Sequence, residues 1–217
     1  MTAFSVDSTS AIITLTDLIA EIRDEMDDSG YSETKILRAI ARAEAYFNRE
    51  LRVPQMETEF QFPVTGESTA LPVDFLQMRA IYQEGSPDNP MRSMSPAGLR
   101  QLYFGQSGTP AAYALENRRL IVAPVGSASV TMLYYAAIPP LNESNPTNWL
   151  LVDYPDIYLH QVLAILFAKI GDDGRAASNL GIAGALIEQA NKTGRNARWG
   201  AGPLNPLLVR QVPGARI

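Results

Sequence analysis

The apolar period of this sequence changes twice, and that change constrains the fold more than any single motif. Residues 15–51 repeat their apolar side chains at helical spacing, residues 55–149 alternate over short runs, and helical spacing returns near residue 154. Helix, then strands, then helix predicts an α+β fold. It divides as an antiparallel helical bundle from residues 1–54 and 150–191, an inserted small antiparallel β region over 55–149, and an extended C-terminal arm over 192–217.

Leu15, Leu18, Ile19, Ile22 and Met26 mark a helix over 15–28, opened by the capping pattern Thr14-x-x-Asp17 and ended by Ser29-Gly30. A second helix spans 33–51, with Ile36, Ile40, Ala43 and Phe47 on its apolar face and Val53-Pro54 as its stop. Strands are predicted over 57–62, 80–83, 113–115, 120–123 and 130–135, with Pro124-Val125-Gly126-Ser127 as a hairpin turn between the last two. Ser95-Pro96 opens a short helix to Tyr103, and residues 139–149 read as a loop. Tyr154-Pro155 begins a helix buried on most sides, broken by Gly171-Asp172-Asp173-Gly174. Asp172 or Asp173 caps a last helix over 175–191, whose Gly181 and Gly184 are places for a neighbouring helix to come close.

Much chemistry is excluded by composition. There is no cysteine and one histidine among 217 residues, so thiolate zinc sites, disulfides, thiol nucleophiles and paired imidazoles are all absent. The lack of cysteine also fits a reducing compartment. The longest apolar run, Val162 to Ala168, falls far short of the ~18 residues of a membrane span, and the N-terminus does not read as a secretory signal. Gly105-Gln106-Ser107-Gly108 is neither a phosphate-cradling loop nor a nucleophile elbow. Asp27-Asp28 and Asp172-Asp173 lack the spaced oxygens of a calcium loop and read as turn and cap residues. His160, among Leu159, Val162 and Leu163, reads as a core or inter-helix histidine. No catalytic residue, metal ligand set or cofactor site is predicted.

Charge is more informative. The net charge of −5 hides eight acids against one arginine in residues 1–34, and five bases with no acid in residues 191–217. Asp17, Glu21, Asp24 and Asp28 form an acidic stripe on the first helix, and Arg38, Arg42, Arg49 and Arg52 a basic stripe on the second. Such stripes pair within one hairpin, or face each other across a repeated subunit interface; the eight residues are predicted inter-subunit contacts. Arginine outnumbers lysine fifteen to three, a bias that suits planar ion pairs at interfaces. The basic arm reads either as a disordered terminus or as a segment that orders on a partner, with Trp199 as anchor and arginines at the rim. The acidic balance and the lack of a DNA-reading module argue against sequence-specific nucleic-acid binding.

Several segments carry a resemblance. They are Ala-Glu-Ala-Tyr-Phe-Asn-Arg-Glu-Leu-Arg (43–52), Leu71-Pro72-Val73-Asp74-Phe75-Leu76-Gln77-Met78-Arg79 with Ile81-Tyr82, and Gly108-Thr109-Pro110 before Tyr113-Ala114, Leu120 and Pro124. Further on come Leu133-Tyr134-Tyr135, Ile138-Pro139-Pro140-Leu141, Thr147-Asn148-Trp149-Leu150-Leu151, Tyr154-Pro155-Asp156 with Tyr158-Leu159, and Asp172-Asp173-Gly174-Arg175-Ala176. In this order, over about residues 15–190, the chain resembles the head-to-tail adaptor (connector) proteins of tailed bacteriophages, in particular the podovirus type.

The resemblance implies a non-enzymatic structural protein of the virion neck, made in the host cytoplasm. It implies a homo-oligomeric ring, a dodecamer, under the portal protein. A downstream tail or nozzle protein sits on the other side, double-stranded DNA passes non-specifically through the middle, and no membrane is involved. A gene transfer agent has the same arrangement. The C-terminal segment reaches the portal, so Lys192, Arg195, Arg198, Trp199 and Arg210 are the expected portal-binding residues. Within the matched segments, Pro72 fixes a turn, Phe75 and Leu76 bury under the sheet, and Trp149 is a packing anchor. A lumen passing DNA is best lined by acids or weak polarity. The competing readings are another non-enzymatic virion assembly factor and a virion-associated cell-wall hydrolase.

Overall fold

A computed structural model describes residues 12–28, 31–64, 68–86, 89–126 and 128–199, apart from the side chains of Arg198 and Trp199. Helix α1 (Leu15–Glu25) starts as the capping pattern requires. The Asp17 N–H donates to Thr14 Oγ1 at 3.2 Å, while the Thr14 N–H donates to the Asp17 carboxylate at 2.9 Å. Its apolar stripe, Leu15, Leu18, Ile19 and Ile22, is buried. Helix α2 (Glu33–Glu50) buries Ile36, Ala39, Ile40, Ala43 and Phe47, the face read from the sequence.

The chain then changes to strands: β1 (Glu57–Val64), β2 (Ser68–Ala70), β3 (Phe75–Gln83) and β4 (Arg92–Ser93). After helix α3 (Pro96–Tyr103) come β5 (Ala112–Glu116), β6 (Arg119–Ala123) and β7 (Ala128–Ala136). They make two sheets, ordered β1-β7-β3 and β2-β6-β5-β4. Phe62, Val64, Ile81, Leu120, Val130 and Met132 share one core there. Phe75 is half-buried and stacks on Tyr134, with ring centroids 5.6 Å apart, and the Tyr134 hydroxyl donates to Asp74 at 3.1 Å.

The last three helices are α4 (Trp149–Asp153), α5 (Pro155–Ile170) and α6 (Asp173–Trp199). Asn148 caps α4 by accepting from the Leu151 N–H at 2.9 Å. Trp149 is only half-buried, whereas Asn148, Leu150 and Leu151 on either side of it are buried. Helix α5 is apolar on most sides and packs against α1, α2, α4 and α6. Gly171, at φ 83, ends it in the left-handed region, and Asp172 then caps α6 through the Arg175 N–H at 3.0 Å. The fold is thus α+β. Two units divide it: residues 1–54 with 141–217, and residues 55–140.

Four expectations need correction. Residues 124–127 do not turn a hairpin, because β6 and β7 belong to different sheets. The hairpin lies one connection earlier, at Asn117-Arg118, where both residues have positive φ (49 and 57) as a tight mirror-image turn demands. The β region is not wholly antiparallel, since β4 pairs with β5 in parallel. The extended arm does not start at residue 192, because α6 continues to Trp199. Gly181 and Gly184 admit no neighbouring helix within the chain; nothing lies within 4 Å of a Cβ built at either.

A different glycine does that work. At Gly194 an added Cβ would sit 2.8 Å from Pro54 Cδ and 3.3 Å from Val53 Cα. One turn earlier, Asn191 accepts from the Arg52 N–H at 2.7 Å and donates to the Glu50 carbonyl at 2.9 Å, closing the C-terminal end of α2. The end of α6 is therefore built against residues 50–54.

Candidate functional site

The basic stripe divides when folded. Arg38 and Arg42 lie exposed on α2 beside Lys35, and Lys169 from the last turn of α5 joins them. Lys169 is held below its ordinary value, first by desolvation and then by repulsion from Arg42, Arg38 and Lys35. Arg38, Arg42 and Lys169 have no ion-pair partner among the described residues. Arg49 and Arg52 are occupied elsewhere. Arg49 lies over the Tyr46 ring at 5.8 Å, and Arg52 donates to the Asn48 carbonyl at 3.0 Å. The sequence reading missed Lys35, one turn before Arg38 on the same face of α2, and Lys169, which only the packing of α2 on α5 brings to them.

The acidic stripe divides too. Asp17 is spent on the helix cap, its carboxyl held below the usual range first by the Thr14 hydroxyl. Asp24 and Asp28 are exposed and Glu21 half-exposed. No ion pair joins Glu21 or Asp24 to Arg38 or Arg42, so these charges are not neutralised within the helix pair.

Beside the cations runs a groove with Arg42 on one side, Gln161, Ala164, Ala168 and Lys169 along α5, and Ala177 and Leu180 on α6. Gln161 is 5% exposed, and its Oε1 finds no donor. A polar residue within the apolar run of α5 was a signal available in the sequence. Among its described side chains, α6 buries only Ala183, Ile187, Ala190 and Gly194 over its long course, leaving Leu180 and Ile182 exposed. Lys192 and Arg195 are exposed on its final turns; Arg198 and Trp199 belong to the helix, and Arg210 lies outside the described residues.

Glu44 and His160 are held by hydrogen bonds within the helical unit. Glu44 is buried, accepting from the Leu141 N–H at 2.7 Å and the Tyr158 hydroxyl at 3.1 Å, and Asn148 Nδ2 donates to the same hydroxyl at 2.8 Å. Burial raises the Glu44 carboxyl above its ordinary value, partly offset by these donors. His160 Nδ1 meets Asn179 Oδ1 at 2.8 Å, linking α5 to α6. Asn179 donates through Nδ2 to the Arg175 carbonyl, so its Oδ1 accepts and the histidine nitrogen is the donor. Among the described residues no three His, Asp or Glu side chains are placed to hold a metal ion, and no helix is long and apolar enough to cross a membrane.

What remains as a candidate site is a surface: cations and a small-residue groove on one side, unneutralised acids on α1. Comparison with curated proteins finds no match. The model of the SU10 adaptor protein family matches residues 13–207, extending beyond the span of about residues 15–190 over which the resemblance was read. A match over that much of the sequence, on a helical unit with opposed charged surfaces, means that this chain belongs to the SU10 adaptor proteins, a phage head-to-tail adaptor family.

Proposed function

We propose that this adaptor joins head to tail with copies of itself into a ring of twelve in the virion neck. The portal lies on one side, the next tail or nozzle component on the other, and double-stranded DNA passes through the middle. The observation that carries this reading is the pair of opposed surfaces on one helical unit. Among the described residues, Arg38, Arg42 and Lys169 have no anionic ion-pair partner, and Glu21 and Asp24 have no cationic one. A heterologous interface needs two such different patches on every subunit. Exposed ion pairs contribute only ~0–1 kcal/mol each, so the charges set register, and apolar area such as the open face of α6 supplies affinity. Arg49, Arg52 and Asp17 are weaker candidates for the interface, since their side chains already serve α2 and α1.

Lys192 and Arg195, followed by Arg198, Trp199 and Arg210, form the acid-free end of the sequence and are assigned to the portal. The test is a cryo-EM reconstruction of the full chain mixed with its portal. A ring between portal and tail is expected; a portal vertex that leaves the chain in the supernatant refutes the reading.

A further inference from the structure

We infer that the groove beside Arg42 and Lys169 receives the outer face of α1 from a second copy of this chain. This deepens the ring reading above and rests on it. The groove is lined largely by small side chains, Ala164, Ala168, Ala176 and Ala177, with Ile165 and Leu180 among them, which lets a helix axis come close, toward the short end of the usual ~8–10 Å. Its rim is cationic, and Gln161, which also lines it, has a side-chain carbonyl oxygen that is buried and without a donor among the described residues. An occupant therefore needs a small residue at its centre, acids at one end and a hydrogen-bond donor at the other.

The outer face of α1 carries these three features in order. Thr16, Ala20 and Asp24 are exposed at successive turns, with Asp27 and Asp28 just beyond. Gln161, Ile165 and Lys169 recur at the same spacing on α5. If α1 of one copy runs parallel to α5 of the next, the Thr16 hydroxyl falls opposite Gln161 Oε1. Ala20 then falls opposite Ile165, leaving room for that larger side chain between Ala164 and Ala168, and Asp24 meets Lys169. Arg42 is left to the acids that follow. Duplex DNA would use the cations but has no need of the small lining side chains, so a protein helix fits better.

The chain has no cysteine, so a pair of introduced thiols reports proximity without background. Asp24→Cys and Lys169→Cys, both at exposed positions, are made together in the full chain. Mild oxidation of the assembled protein should give a ladder of linked chains, since thiols this close have Cβ atoms within reach of a disulfide. As a second measurement, Arg42→Glu with Lys169→Glu should weaken self-association about tenfold, and adding Asp24→Lys and Asp28→Lys should restore it.

An oligomer that gives neither ladder nor rescue overturns the groove assignment and leaves the adaptor ring standing. A disulfide within one chain overturns it as well. So does salt-sensitive retention of duplex DNA lost in the Arg42→Glu, Lys169→Glu variant, if no ladder forms. A chain that never associates with itself, alone or on the portal, overturns both the groove and the ring.

Discussion

Glu44 accepts two hydrogen bonds while lying almost out of water, and its response to pH follows from that. Because its folded pKa is raised, folding favours the protonated form. Its contribution is present in full below the ordinary glutamate value and is lost as pH rises through the raised one. Glu44→Gln keeps an acceptor for Leu141 and Tyr158 and removes the titration. Urea unfolding should therefore show a flatter stability–pH profile for the variant above the ordinary glutamate value, whereas identical profiles would deny the buried carboxyl any role. Glu44→Ala leaves both donors unsatisfied and should cost about 2–5 kcal/mol. The misfit was legible, since Glu44 shares the α2 face with Ile40 and Phe47. Its partners were not, because Leu141 and Tyr158 are 97 and 114 positions away along the chain.

Among the elements, periodicity located the long helices and longer strands, because their apolar spacing is local. What escaped it was decided by pairing or by a neighbour. Proline and glycine at 124–126 read as a hairpin, yet the tight turn falls on Asn117-Arg118, where an arginine takes the left-handed conformation usually left to glycine. Arg118→Gly relieves that backbone cost and gives up a hydrogen bond to the Val73 carbonyl at 3.2 Å. A gain of about 0.5–1 kcal/mol is expected, and a lowered melting temperature would mean that the Val73 contact outweighs the strain. Gly194 reads from the sequence as part of an extended arm, although it is a helix residue placed close against Pro54. Gly194→Ala improves helix propensity by ~1 kcal/mol but drives a methyl into a rigid ring, so the sum should be destabilising by about 1–2 kcal/mol.

At the scale of the whole molecule, the end of α6 separates a turn that packs on the fold from the residues proposed to meet the portal. Truncation after Asn191 removes Gly194 and the turn packed on residues 53–54, and should lower the melting temperature by several degrees. Truncation after Trp199 spares that packing, and circular dichroism should find helix content and melting temperature nearly unchanged. If attachment to the portal depends on residues 200–217, the shorter cut alone will abolish it. If the exposed Lys192 and Arg195 dominate, the Trp199 truncation will still bind, and reversing both to Glu in the full chain will weaken binding, most strongly at low salt, without shifting the melting temperature. Binding unaffected by any of these changes removes the C-terminal end from the portal interface and leaves the helical unit's charged surfaces to make that contact.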